Sequence, residues 1–173
     1  MASWSQFAET APTLAEEVRE LFYQYGSGFG YLATIRRDGG PRLHPVSPVI
    51  ADGGLFCFVL NSPKRRDLER NGWYALHAYP PENSNDEAYL TGHAYPVTDR
   101  RRVGRLVRAH RAAGQVDWRL FELDIEVAMV TRHAGRDRAQ SYHIWHAVGP
   151  AAGTMPERRP TRIRPHNHGG GAP

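Results

Sequence analysis

The residues best equipped for chemistry lie in the stretch 41–66, PRLHPVSPVIADGGLFCFVLNSPKRR. Asn61 offers an amide, Ser62 a hydroxyl, Lys64 an ammonium, and Arg65 and Arg66 guanidinium groups. They follow the apolar run LFCFVL over 55–60 and open a helix expected to start at Pro63. Such donors, where a buried strand gives way to a helix N-terminus, suit an anion, phosphate above all. The same residues also suit an ordinary strand-to-helix corner with a solvated basic turn, and no Walker or dinucleotide motif decides between the two. Other chemistries are poorly served. No Ser/His/Asp or Cys/His nucleophile pattern is present. The histidines are scattered, His143 and His146 would face opposite sides of a strand, and a single cysteine cannot build a structural zinc centre, so no metal site is expected.

The elements around this stretch follow from periodicity. Leu14, Val18, Leu21, Phe22 and Tyr25 recur at helical spacing behind Pro12, with Thr13 and Glu16 as a capping box and Gly26 as the stop. Residues 31–35 read as a first strand, and Asp38-Gly39-Gly40 as a tight turn. The second strand, 42–50, contains Pro45 and Pro48, which cannot donate to a ladder; it needs a free edge, a bulge or a face open to a ligand. After the turn at 51–54, the run 55–60 is a strand buried on both faces. A helix over 63–70, strands over 73–79 and 87–97, and a helix over 99–113 follow. Gly92, inside a strand, signals a bulge or a close approach to the backbone. The helix over 99–113 turns Val103, Leu106 and Val107 to the core and leaves Arg100, Arg101, Arg105 and Arg108 solvated. Phe121, Leu123, Ile125, Val127 and Met129 alternate with acids as a half-buried strand, and 141–147 forms the last one. Many antiparallel strands with tight turns and a few outer helices imply a mainly β fold with α additions (α+β), closed into a small barrel.

Length and charge bound the rest. The chain of 173 residues, 40% hydrophobic, suits one domain with an adequate core. No run reaches the roughly 18 apolar residues of a membrane span, and the N-terminus has no secretory signal pattern. Cys57 is the only cysteine, which fits a reducing cytoplasm. The net charge is +4, of which residues 150–173 carry +3 through four arginines and Glu157. That Gly/Pro-rich segment is expected to be a disordered basic tail. The remainder lacks a basic, aromatic-interleaved surface, so neither nucleic acid nor membrane is an expected partner.

Tyr31-Leu32-Ala33-Thr34, the run 38–46 (DGGPRLHPV) and the run 60–68 (LNSPKRRDL) together resemble the pyridoxamine 5′-phosphate oxidase-like, FMN-binding split-barrel family. The resemblance covers residues 30–92, with weaker agreement out to Trp145. It implies an antiparallel split β-barrel, homodimeric, with a flavin at the subunit interface. A helical segment over 1–26 would pack on a cofactor-binding domain over 27–149. In that picture Arg42 and His44 contact the flavin from the second strand, and Val46 and Ser47 run beside its ring. Asn61, Ser62, Lys64 and Arg65 meet its phosphate, and Thr91, with Gly92, packs near the ring. Tyr142, His143, Trp145 and His146 are candidates for what the partner subunit contributes. The arginine-containing C-terminal signature of the true oxidase is replaced by His143-Ile144-Trp145-His146-Ala147, so vitamin B6 oxidation is not expected. The resemblance implies an FMN-dependent oxidoreductase acting on a small molecule, with His44 as the one candidate acid. F420 in place of FMN, or a haem- or flavin-binding protein without catalysis (His44, His77 or His93 ligating haem), are the alternatives.

Overall fold

The computed structural model describes residues 1–110, 116–133 and 141–147. The tail over 150–173 and the last turn of the helix expected over 99–113 lie outside the described residues. The strands are β1 (Gly30–Ile35), β2 (Pro41–Val46), β3 (Pro48–Ala51), β4 (Gly54–Leu60), β5 (Trp73–Ala78), β6 (Glu87–Pro96), β7 (Trp118–Arg132) and β8 (Ser141–His146). The helices are α1 (Trp4–Thr10), α2 (Pro12–Tyr23), α3 (Pro63–Arg70) and α4 (Arg100–His110). Every strand pairing is antiparallel, in the order β2-β1-β5-β6-β7-β4-β3, with β8 added to β7.

The two ends of that order are chain neighbours. Only Ser47 separates β2 from β3, so the sheet must curl until its opposite edges stand side by side. No ladder joins them: β2 pairs with β1, and β3 with β4. This is a half-barrel with a split, and the single strand expected over 42–50 is two edge strands. Pro45 and Pro48 are the reason, because a residue without an N–H is tolerated where one side of the strand goes unpaired.

β4 is buried on both faces for a visible reason. Leu55, Cys57 and Val59 point into the main core with Leu32, Leu76 and Leu90, while Phe56 joins Val49, Leu106 and Leu120 beneath α4. At the other end, α1 and α2 cap the barrel with Phe7 and Phe22, both fully buried. The N-terminal helix begins earlier than expected. Ser3 and Gln6 form the capping box of α1, and α2 starts at Pro12 with no side-chain cap, so Thr13 and Glu16 do not play that role. Tyr25 lies beyond α2 and is 43% exposed rather than core. No helix among the described residues is long and apolar enough to cross a membrane.

The expected alternation along β7 holds only halfway. Phe121, Leu123 and Ile125 are buried, but beyond Glu126 the buried positions are Ala128 and Val130, not Val127 and Met129. Thr91 faces Val127 and Gly92 faces Ile125, so Glu126 is an extra residue that shifts the period by one. Gly92 permits the bulge: a Cβ there would lie 1.9 Å from the carbonyl oxygen of Asp124. Gly92→Ala is therefore expected to destabilise the fold by about 1–3 kcal/mol, an overpacking cost against immovable backbone. Thr91→Ala, on the half-buried outer face, should cost clearly less; chemical denaturation of both variants is the measurement.

Candidate functional site

The split opens into a cavity of about 620 Å³. Val46, Ser47, Pro48 and Val49 form one wall where β2 passes into β3, Phe58 and Leu60 of β4 and Trp118 of β7 another, and Tyr23 and Gly28 close it from the α2–β1 side. Gly28 must be small, since its Cβ would stand 2.0 Å from the carbonyl oxygen of Pro48. The Tyr23 hydroxyl accepts from the Ile50 N–H at 2.9 Å and donates to the Pro48 carbonyl at 3.4 Å, which holds β3 against α2.

Among the described lining residues Lys64 alone carries a fixed charge. It sits in the first turn of α3, and its Nζ donates to the Pro45 carbonyl at 3.1 Å, an acceptor left free at the unpaired edge of β2. Burial lowers the ammonium pKa. Burial pushes the Cys57 thiol up to about 12, so it stays protonated and inert.

Of the residues expected to form the site, the structure brings Val46, Ser47 and Lys64 together in this cavity. Arg65 is turned elsewhere: it pairs with Asp117 at 2.7 Å and Glu69 at 3.2 Å, and it lines no cavity with Lys64. Asn61 donates its backbone N–H to the Asp117 carbonyl at 2.8 Å, and its side chain also reaches the Asp117 carboxylate. Ser62 precedes α3 but bonds back to the Leu60 carbonyl at 2.9 Å without capping the helix. Thr91 lies on the outer face of the barrel, opposite Ala75. Trp145 packs on Phe7, with ring centroids 4.8 Å apart, at the end capped by α1.

Arg42 follows a different partner. Asp67, 4% exposed, accepts from Arg42 Nε at 2.7 Å, from Thr34 Oγ1 at 3.0 Å and from Arg70 at 3.3 Å. Burial alone would raise its pKa, but the hydrogen bonds from Arg42, Thr34 and Arg70 outweigh it and hold the carboxyl below the usual range. His44 is half-buried on the same side of β2, between Arg42 and Val46, and its Nε2 is buried without a hydrogen-bond partner among the described residues. Burial, then the charges of Lys64 and Arg42, keep this imidazole below its ordinary value against the pull of Asp67.

Sequence reasoning did not find Tyr23, Phe58, Trp118 or Asp67. The first three come from separate elements, and no spacing links them. Asp67 carried one signal, as the sole acid within the run 63–68 (PKRRDL), directly after three cations.

No family model and no curated protein matches the chain. Solved structures do. A haem-binding protein from Mycobacterium smegmatis superposes with TM-score 0.58 at 19% identity over 76% of this chain, which spans only 58% of that protein. A NimC/NimA family protein from Clostridium acetobutylicum gives TM-score 0.54 at 18% identity, covering 82% of this chain and 94% of the other. A protein of the same organism, related to general stress protein 26 of B. subtilis and of the pyridoxinephosphate oxidase family, gives TM-score 0.53 at 15% identity, covering 82% and 95%. At these identities the likeness is one of fold.

A histidine held below its ordinary pKa favours the neutral form in the folded state. Its contribution is intact above about 6.5 and is lost as pH falls below that value, because the unfolded chain then takes up the proton first. Asp67 acts in a lower window, losing its contribution as pH drops below about 3.8 toward its depressed value. His44→Gln is expected to flatten the stability profile just below about pH 6.5 while leaving the acid limb in place, as read by denaturation midpoints across pH.

Proposed function

Since the chain has the fold of the pyridoxamine 5′-phosphate oxidase-like split barrels, we propose that it is an oxidoreductase that takes FMN into the cavity at the split. The observation that carries this reading is Lys64, the one fixed charge among the described lining residues of a cavity whose other walls are largely apolar and aromatic. A flat heterocycle with one phosphate asks for that combination. The ring would lie along Val46 and Ser47, where the edge of β2 away from β1 leaves backbone groups free, with Phe58 and Trp118 as apolar walls. The phosphate would meet Lys64 and the first N–H groups of α3. A bound flavin would supply two-electron transfer to or from a small molecule; this chain's residues would bind it, orient it and exclude water. His44 is not among the described lining residues but stands two residues before Val46 on the same side of β2, and is the candidate hydrogen-bond donor to the flavin from that strand. F420, another flat ring system with an acidic tail, is the alternative occupant.

A second reading has its own observation. Neutral imidazole is the form that binds metal, and His44 Nε2 is buried without a partner among the described residues. Together with the likeness to the Mycobacterium smegmatis haem-binding protein, this favours haem as the competing ligand. An absorbance spectrum of the purified protein separates the two. Flavin bands or tight FMN uptake support the first reading; a Soret band lost in His44→Ala supports the second.

We also propose a homodimer. The outer face of β1 and β5 presents Tyr31, Ala33, Ile35, Trp73, Ala75 and His77 with no Asp, Glu, Lys or Arg, and Tyr89, Thr91 and His93 of β6 continue it as far as Glu87 at its margin, which suits cover by a second copy. On this face lies Thr91, and the exposed Tyr142 and Ile144 are what β8 would offer.

Two outcomes are expected. Lys64→Ala weakens FMN binding about tenfold or more, whereas Arg65→Ala, whose guanidinium is already held by Asp117 and Glu69, changes it by less than about threefold. Equal losses in a fluorescence titration would sink the assignment of the cavity. Ala75→Glu puts a charge in the middle of the uncharged face and should convert the dimer to monomer in light scattering; a monomeric parent protein refutes the dimer.

A further inference from the structure

A second cavity, also about 620 Å³, lies on the other side of α3 and shares no lining residue with the first. Arg66 and Arg70 of α3, Arg37 of the β1–β2 turn and Arg42 of β2 surround it, with Pro63 and Asp67. Four guanidinium groups face one carboxylate, a surplus of three positive charges in one concavity.

The arrangement is organised rather than incidental. Buried Asp67 grips Arg42 and Arg70 and is itself fixed by Thr34, while Arg70 also donates to the Ile35 carbonyl. Arg42 and Arg70 are thereby held in place before any ligand arrives. Arg37 and Arg66 are exposed and make no side-chain hydrogen bond or ion pair with the described residues. In the β1–β2 turn it is Arg36 that is tied down, by Asp38 at 2.8 Å, leaving its neighbour Arg37 to the cavity. On α4, Arg102 meets Glu122 at 2.6 Å and Arg105 meets Asp52 at 3.2 Å, while Arg100, Arg101 and Arg108 lie exposed and line neither cavity.

We infer that this cavity is a second anion site, distinct from that at Lys64, for a ligand carrying a diphosphate. A phosphate monoester brings about −1.5 to −2 charges, which leaves part of the surplus unmatched, whereas a diphosphate brings about −3. Volume agrees, since sites for whole small molecules run from about 300 to 1,000 Å³ and a lone phosphate would leave most of this one empty. Guanidinium forks bind paired phosphate oxygens bidentately, and Arg37 and Arg66 are free to do so.

The test uses inorganic pyrophosphate and orthophosphate in calorimetric titrations of the full chain at low ionic strength. Pyrophosphate should bind about tenfold or more tightly than orthophosphate, and its affinity should fall as salt is added. Arg37→Ala with Arg66→Ala should weaken it about tenfold or more while leaving FMN titrations unchanged; Lys64→Ala should do the reverse. Arg37→Gln with Arg66→Gln, on the same exposed positions, checks that the loss follows charge rather than folding. The proposal is overturned if pyrophosphate gives no binding, if the arginine variants bind it as the parent does, or if it competes with FMN and is lost with Lys64→Ala. Arginine-dependent binding in a protein that takes no FMN would uphold this site and refute the reading of the cavity at the split.

Discussion

One residue, Ser47, carries the chain from one edge of the sheet to the other, and the rest of the structure answers to that constraint. A connection this short forces the edges together, so the sheet must curl and its inner face must become a core. Pro45 and Pro48 prevent those edges from zipping up, because each lacks the N–H that a ladder between them would require. What remains is a barrel closed by covalent connection but not by hydrogen bonds. The gap exposes backbone acceptors such as the Pro45 carbonyl, with apolar side chains beneath them. A cavity with polar lips and a greasy floor follows from the same two prolines that interrupt the strand.

The second organising element is α3. Its cations stand about 100° apart around the helix axis, so neighbours in sequence cannot share a destination. Lys64 turns to the split, Arg65 to Asp117 at the start of β7, and Arg66 and Arg70 to the arginine cavity. Asp67, between them in sequence, is buried beneath β1 and β2 and draws Arg42 across to the helix. Burying that carboxylate is tolerable because Arg42, Thr34 and Arg70 supply donors that leave it ionised. The basic loop is thus two electrostatic environments back to back, one with a single ammonium and one with a cluster of guanidiniums.

Much of this was legible in the residues. The helix over 63–70, the strand buried on both faces over 55–60 and the bulge at Gly92 are local matters of period, Pro and Gly, and they stand as read. The misreadings have local causes too. Ser3 and Gln6 are as good a capping box as Thr13 and Glu16, and only the packing of Trp4 and Phe7 on the barrel decides that a helix forms there. On β7 the bulge was visible on its partner strand at Gly92, yet its consequence, the phase change at Glu126, needs the pairing to be known. For the site, Val46, Ser47 and Lys64 were within reach because they share one stretch, whereas Tyr23, Phe58 and Trp118 meet only when the barrel closes.

By itself, then, the sequence determined the kinds and order of the elements, the antiparallel β character and the presence of a cation-rich corner after a buried strand. These depend on side-chain period and backbone chemistry over a few neighbouring residues. Only the tertiary structure decided which cation serves which environment, that Arg65 is spent on Asp117, and that Arg37, Arg42, Arg66 and Arg70 converge around Asp67. The direction of a side chain on a helix is set by rotation about its axis. What that side chain meets is set by strands far away in the chain, and no local pattern encodes both.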